Sequence, residues 1–415
     1  MRNRFSLLLA AVLLASSFSF FAQSRPASAA NADVAVLLPD SKSSARWEGP
    51  DRKFLTEALT AAGVTFSIVN AEGNATTQAT QADQAITNGA KVILLVNLDS
   101  GSGAAIIAKA RDAKIAIIDY DRLTIQGPGA DFYVSFDNVA VGRLQGEGLV
   151  KAVNAAGIKN PRVVYLNGSP TDNNATLFKQ GYASVIDPLF ADKASGWTKV
   201  ADESVPGWDN QQALTIFEQI LTKTGGKVDA VVAANDGLAG AVSAALANQG
   251  LKQLPVTGQD ATVSGLQNIL AGKQSMTVYK AIKAQAQAAA ALAVAIVKKG
   301  DTKALATGKT NNKTTDVPSV LLIPVAVTKD NIASTVIADG FQTWADICVG
   351  DFAKFCPADA LKPATMAATS GAMMSGTMAA TMKATSGAMM SGTMAATMKA
   401  TAAMMSGTMA ATATK

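Results

Sequence analysis

Short apolar runs alternate with segments of helical spacing along most of the chain. Runs at 34–38, 64–69, 92–96 and 115–118 have the length and composition of strands buried on both faces. Between the first two, Phe54, Leu55, Ala58, Leu59 and Ala62 recur at helical spacing, and Gly63 is a natural stop. Helices are predicted over 51–62, 76–88 and 103–113. After a strand at 132–136 and a helix at 141–155 the alternation begins again. Strands are predicted at 162–166, 198–203, within 228–236, at 255–258, 276–279 and 320–323. Helices are predicted at 177–186, 211–221, 238–248 and, rich in alanine, 282–298. This spacing predicts the α/β class with parallel sheets covered on both faces. Two successive runs, with late segments returning, predict two doubly wound lobes and several crossings between them.

In such a fold, ligands sit past the carboxyl ends of the strands. The stretch IAIIDYDR at 115–122 is the clearest case, an apolar run breaking into Asp119, Tyr120, Asp121 and Arg122. Asp121 and Arg122 are taken as candidates together with ten polar or aromatic residues near the other strand ends and loops. The ten are Arg46, Trp47, Asp137, Asn138, Asp172, Asn174, Trp208, Asn235, Asp260 and Lys280. Because they come from both halves, a site built from them lies in a cleft between the lobes. Carboxylates, amides, a guanidinium and an ammonium suit sugar hydroxyls, which donate and accept at once. Indole rings suit the C–H faces of a pyranose. Mixed signs favour a neutral ligand, since an anion site calls for helix N-termini and a basic excess. Singly, each residue has a plainer reading: an aspartate after a strand often only caps the next helix, a tryptophan fills a core, and Lys280 is solvated.

Composition narrows the classes. The 415 residues, 49% apolar, are enough for two cores. The net charge of +5 comes with only 16% charged residues and no long basic run, so a nucleic-acid partner is not expected. The absence of histidine removes Ser-His-Asp and Cys-His nucleophilic sites and histidine-ligated zinc, but not carboxylate-only hydrolases. Arg2 and Arg4, an apolar run over 7–21 and Ala27-Ser28-Ala29 predict a cleavable export signal at 1–29, rather than a retained anchor. No cysteine stands near the cleavage site to carry a lipid. Cys348 and Cys356 are the only cysteines; in an oxidising compartment they form a local disulfide, two lone thiols being the alternative. A Cys-containing extension (344–369) precedes a tail (370–415) in which SGAMMSGTMAATMKAT at 370–385 repeats at 386–401. Without aromatic or β-branched aliphatic residues the tail is expected to be disordered; copper(I) binding and a weak amphipathic helix are the alternatives.

The order of motifs resembles the periplasmic sugar-binding proteins of ABC importers, most of all their xylose-binding branch. The matching stretches are ARW at 45–47, YDR at 120–122, DFYVSFDN at 131–138, NGSPTDNN at 167–174, GW at 207–208, AND at 234–236, GQDA at 258–261, MTVYK at 276–280 and DVPSVLL at 316–322. The resemblance spans about residues 33–343. It implies two Rossmann-like lobes, 33–138 with 281–325 and 139–280 with 326–343, joined by hinge segments near 138–140, 280–282 and 324–326. It implies that Arg46, Asp121, Arg122, Asp172, Asn174, Asn235, Asp260 and Lys280 hydrogen-bond one monosaccharide and that Trp47 and Trp208 sandwich its ring. Asp137 and Asn138 lie in a matching motif without being assigned direct contacts. The implied protein is a monomeric, non-enzymatic, periplasmic carrier without cofactor or metal. It takes an aldose, D-xylose before arabinose, glucose or galactose, to a membrane permease. A chemoreceptor is a further partner that the sequence does not separate. A carboxylate-pair glycosidase is the enzymatic rival. A sugar-responsive regulator would need a helix-turn-helix where the export signal stands. The cysteine segment and the methionine repeat depart from the family pattern.

Overall fold

The computed structural model describes residues 31–358 and residue 360. The expected export signal and the methionine-rich repeat lie outside the described residues. Strand β1 (Val34–Leu38) is buried throughout, as its unbroken apolar sequence requires. It is flanked in parallel by β2 (Phe66–Asn70) and β3 (Val92–Leu95). Helix α1 (Arg52–Ala61), which buries Phe54, Leu55 and Leu59, makes the first crossover, and α2 (Ala75–Thr87) and α3 (Ser100–Asp112) the next two. Strands β4 (Ala116–Tyr120) and β5 (Phe132–Phe136) continue the sheet.

The chain then enters a second sheet. Helix α4 (Asn138–Ala155), β6 (Arg162–Asn167), α5 (Asn173–Ala191), β7 (Thr198–Ser204), α6 (Asn210–Thr224), β8 (Ala230–Ala233), α7 (Asp236–Asn248), α8 (Val263–Leu270) and β9 (Thr277–Tyr279) follow in order. Helix α9 (Ile282–Val297), β10 (Gly308–Asn311) and β11 (Asp316–Leu322) return to the first sheet; β12 (Val325–Val327) and α10 (Trp344–Ile347) go back to the second body. The first sheet runs β10-β11-β5-β4-β3-β1-β2, and the second is built on β7-β6-β8. A parallel bridge from Val231 to Val256, a bond from Val278 N to Gly258 O and the antiparallel pair β12-β9 carry the second sheet onward. The chain thus crosses between sheets three times, after Phe136, after Tyr279 and after Leu322.

Departures from the sequence reading have local causes. The strand expected at 255–258 keeps a single bridge, because Pro255 has no N–H to donate and Asp260 and Ala261 turn the chain at positive φ. One edge of each sheet is antiparallel rather than parallel: β10 forms a polar hairpin with β11, and β12 is a short edge strand. Helices α4, α5 and α7 begin two to four residues earlier than their apolar periodicity suggests. Each opens on a polar residue, Asn138, Asn173 or Asp236, directly after a side chain that caps the unpaired N–H groups, Asp137, Asp172 or Asn235, and apolar periodicity does not register these positions. Cys348 and Cys356 are joined in a disulfide with Cα atoms 6.0 Å apart, and this segment packs on α8, where Gln267 Nε2 donates to Ile347 O at 2.9 Å.

Candidate functional site

Ten of the twelve candidate residues line one pocket at the carboxyl ends of both sheets. They are Arg46, Trp47, Asp121, Arg122, Asp172, Asn174, Trp208, Asn235, Asp260 and Lys280, none more than 5% exposed. The other two are elsewhere. Asp137 is exposed and caps α4 by accepting from Ala140 N at 2.9 Å, outside the pocket lining. Asn138 is buried behind the wall and donates to Asn174 Oδ1 at 2.8 Å, steadying a lining residue without lining the pocket itself.

Two lining residues are caps as well. Asp172 accepts from Asn174 N with Oδ1 at 2.9 Å, while its Oδ2 meets Arg122 Nε and Trp208 Nε1, both at 3.0 Å. Asn235 accepts from Leu238 N at 2.9 Å and sends its amide N–H across the cleft to Ser43 O at 3.3 Å. Cap and ligand group are therefore compatible roles, because a carboxylate or amide has more than one polar atom to offer.

The charges are balanced. Asp121, Asp172 and Asp260 stand against Arg46, Arg122 and Lys280, and each carboxylate has a cation within 3.2 Å. Arg46 is the most firmly held. It forks onto Asp51 (2.7 and 2.9 Å), reaches Asp121 Oδ2 at 2.6 Å and Gln285 Oε1 at 2.8 Å. Tyr120 O–H closes the cluster on Asp51 Oδ1 at 2.6 Å. Burial pushes the Asp121 carboxyl upward, but the charges of Arg46, Lys280 and Arg122 outweigh it and hold the group well below the usual carboxylate range. Lys280 Nζ lies 3.2 Å from Asp260 Oδ1, yet that oxygen has no aligned hydrogen-bond donor among the described residues. It is a buried acceptor left open in the pocket wall.

Strained backbone aims these groups. Asp121, Trp208 and Asp260 have φ of 67°, 57° and 98°, a region that residues with a Cβ rarely occupy. At Asp121 the surroundings over-determine it: its carbonyl accepts from Ser135 Oγ (2.8 Å), Tyr133 O–H (3.1 Å) and Asn174 Nδ2 (3.1 Å). At Trp208 the indole lies flat on Gly168, where any Cβ would collide with the ring. The Trp47 ring carries the Arg46 and Arg122 guanidinium groups at 4.4 and 5.5 Å from its centroid.

Ser43, Ser44, Phe178 and Gln259 also line the pocket and were not anticipated. Phe178 had a legible signal, since it stands four residues after Asn174 and so shares its helix face. The serines had none; their loop is folded back by contacts such as Ser44 Oγ to Asp260 Oδ2 at 2.9 Å. Asp51 and Gln285, behind the wall, were also missed, although a lone glutamine on the buried face of an alanine-rich helix is a cue.

Residues 34–302 match the family model described as a periplasmic binding protein domain. The D-xylose-binding periplasmic protein of Escherichia coli is 39% identical over 306 residues, 73% of this chain and 88% of that protein. The multiple sugar-binding periplasmic receptor of Rhizobium radiobacter is 31% identical over 330 residues, 76% and 92% of the two chains. A carbohydrate transporter solute binding protein from Chloroflexus aurantiacus, solved in complex with D-glucose, superposes with a TM-score of 0.69 at 29% identity. That match covers 76% of this chain and 98% of the other. With these matches over the same strands that carry the pocket, the chain belongs to the periplasmic binding protein family, in the company of members named for sugars.

Proposed function

We propose that the protein captures a single neutral aldose between its lobes, D-xylose by preference, and delivers it to the membrane permease of an ABC importer. The observation that carries this reading is the balanced, buried set of three carboxylates and three cations, flanked by Trp47 and Trp208, with Asp260 Oδ1 open to accept. Hydroxyls that both donate and accept can replace the cross-lobe bonds Arg122–Asp172, Asn174–Asp121 and Ser44–Asp260 without leaving a buried charge unpaired. The three crossings after Phe136, Tyr279 and Leu322 serve as the hinge about which the two lobes, 33–138 with 281–325 and 139–280 with 326–343, open and close. Closure then brings ligand contacts from both lobes together and shifts the population toward the form a permease recognises.

Xylose heads the list because of the 39% identity to proteins named for that sugar. The relatives named for multiple sugars and the glucose complexes favour a second reading, a carrier of several aldoses. Such a carrier can also engage a chemoreceptor. Glycosidase chemistry is disfavoured because every pocket carboxylate faces a cation, leaving no evident proton donor. Calorimetric titration with xylose, arabinose, glucose and galactose tests the proposal. Xylose is expected to bind well below roughly millimolar, more favourably than about −4 kcal/mol. No aldose reaching that affinity would end the sugar reading.

A further inference from the structure

Asp236 belongs to the AND motif but is not part of the pocket wall; it is 1% exposed, directly behind it. Its Oδ2 accepts from Thr262 N at 2.8 Å and Thr262 Oγ1 at 3.1 Å, and its Oδ1 from Gln274 Nε2 at 2.8 Å. Its own N–H donates to Gln259 O at 3.0 Å, and Gln274 Nε2 also donates to Met276 O at 3.0 Å. One carboxylate therefore ties three strand ends: the one bearing Asn235, the loop bearing Gln259 and Asp260, and the segment that enters β9 and ends in Lys280. Gly258 and Gly265 leave it room, since a Cβ at either would overlap a carboxylate oxygen. The loop it holds is the strained one, with φ of 98° at Asp260 and 49° at Ala261, so its conformation depends on such outside fixing.

We propose that Asp236 is a positioning residue of the sugar site, whose ionised carboxylate holds the Asp260 loop in its binding conformation and so tightens sugar binding as pH rises through neutrality. The proposal rests on the sugar-binding reading given above. Burial pushes this carboxyl up to about 7, with Asp260 adding to the rise, against the opposing hydrogen bonds of Gln274 and Thr262. Asp260 is the charged group acting on it and is itself paired with Lys280; the hydrogen-bonding neighbours on the loop after Gly258 and on the segment entering β9 are neutral. All three bonds to the carboxylate come from donors. Protonation turns these from charge-assisted into weaker neutral bonds, and a proton on Oδ1 directly opposes the Gln274 N–H, so the fixing of the loop weakens.

The test is the Kd for D-xylose of the full chain between about pH 5.5 and 8.5, for wild type, Asp236→Asn and Gln274→Leu. For wild type, affinity is expected to fall roughly tenfold toward the acid end, the scale of one hydrogen bond to a charged group. Asp236→Asn should bind roughly tenfold more weakly at the alkaline end and show no slope. Gln274→Leu removes one donor from the carboxylate and should move the midpoint to higher pH, which keeps the proposal testable if the asparagine variant does not fold. A flat wild-type profile overturns the proposal. So does a slope that survives Asp236→Asn, which would belong to another group such as Asp119. A wild type that binds no aldose at any pH instead removes the sugar reading, and this proposal with it.

Discussion

Replacing Gly142 by alanine sets two effects of opposite sign against each other. In a helix interior the exchange gains up to about 1 kcal/mol of intrinsic preference. Gly142 lies where α4 meets α5, and a Cβ there would stand 1.9 Å from Phe178 O, with Phe178 C and Cα at 2.7 and 2.8 Å. Real Cβ atoms essentially never come within 3.0 Å of such neighbours, so the α5 backbone must retreat by more than about 1 Å (3.0 − 1.9). The obstacle is backbone and has no rotamer to escape into, which places the cost at or above about 3 kcal/mol, the upper end for overpacking. The expected net loss is about 2 kcal/mol, or a fall in Tm of about 4–8 °C for a domain of this size. Gly240 in α7 is the internal control. Nothing lies within 4 Å of its Cβ position, so Gly240→Ala should gain about 0.5–1 kcal/mol and raise Tm by ~2 °C. Urea denaturation and thermal scans of both variants measure this directly, and xylose titration adds a functional readout, because Phe178 carries its ring into the pocket. Gly142→Ala as stable as wild type, or the two substitutions changing stability alike, would refute the reasoning.

Three further outcomes follow from the same geometry. Gly168→Ala drives a Cβ into the Trp208 ring, so sugar affinity should fall at least about tenfold with a changed tryptophan emission spectrum; unchanged titration would show that the indole does not cover the ligand. Burial pushes Asp119 and Asp236 up from 3.8 to about 7, so between about pH 4 and 7 the folded protein keeps protons that the unfolded chain has released. Stability therefore falls as pH rises through that window, whereas the contribution of Asp121, held low, is complete above about pH 4 and lost only in stronger acid. Tm should drop from pH 5 to pH 8, less steeply in Asp119→Asn, and a rise would contradict the assignment. Reducing the Cys348–Cys356 bond removes a constraint of about 2–3 kcal/mol from an eight-residue separation that packs on α8, away from the pocket. Hydrogen exchange should quicken over 344–356 with xylose affinity held within about twofold; a larger loss of affinity would tie the extension to the site.

Much of this protein was written in the order of its residues. Strand-helix alternation fixes the α/β class, because an apolar run such as Val34–Leu38 can be satisfied only by a sheet covered on both faces. The same logic places polar residues at strand ends, and ten of those in the sequence set meet in one pocket. What the order of residues could not decide was which strand-end aspartates face inward. Asp137 and Asp172 both follow a strand and both cap a helix, yet only Asp172 finds Arg122 and Trp208 across from it. Nor could it show that Ser43, Ser44 and Gln259 complete the wall, that Asp51 and Gln285 brace Arg46, or that Asp236 gathers three strand ends. Those roles exist only between residues far apart in the chain, such as the 239 positions separating Arg46 from Gln285. Periodicity records how a residue meets its own helix or strand; the packing of two sheets about three crossings decides which distant group it meets next.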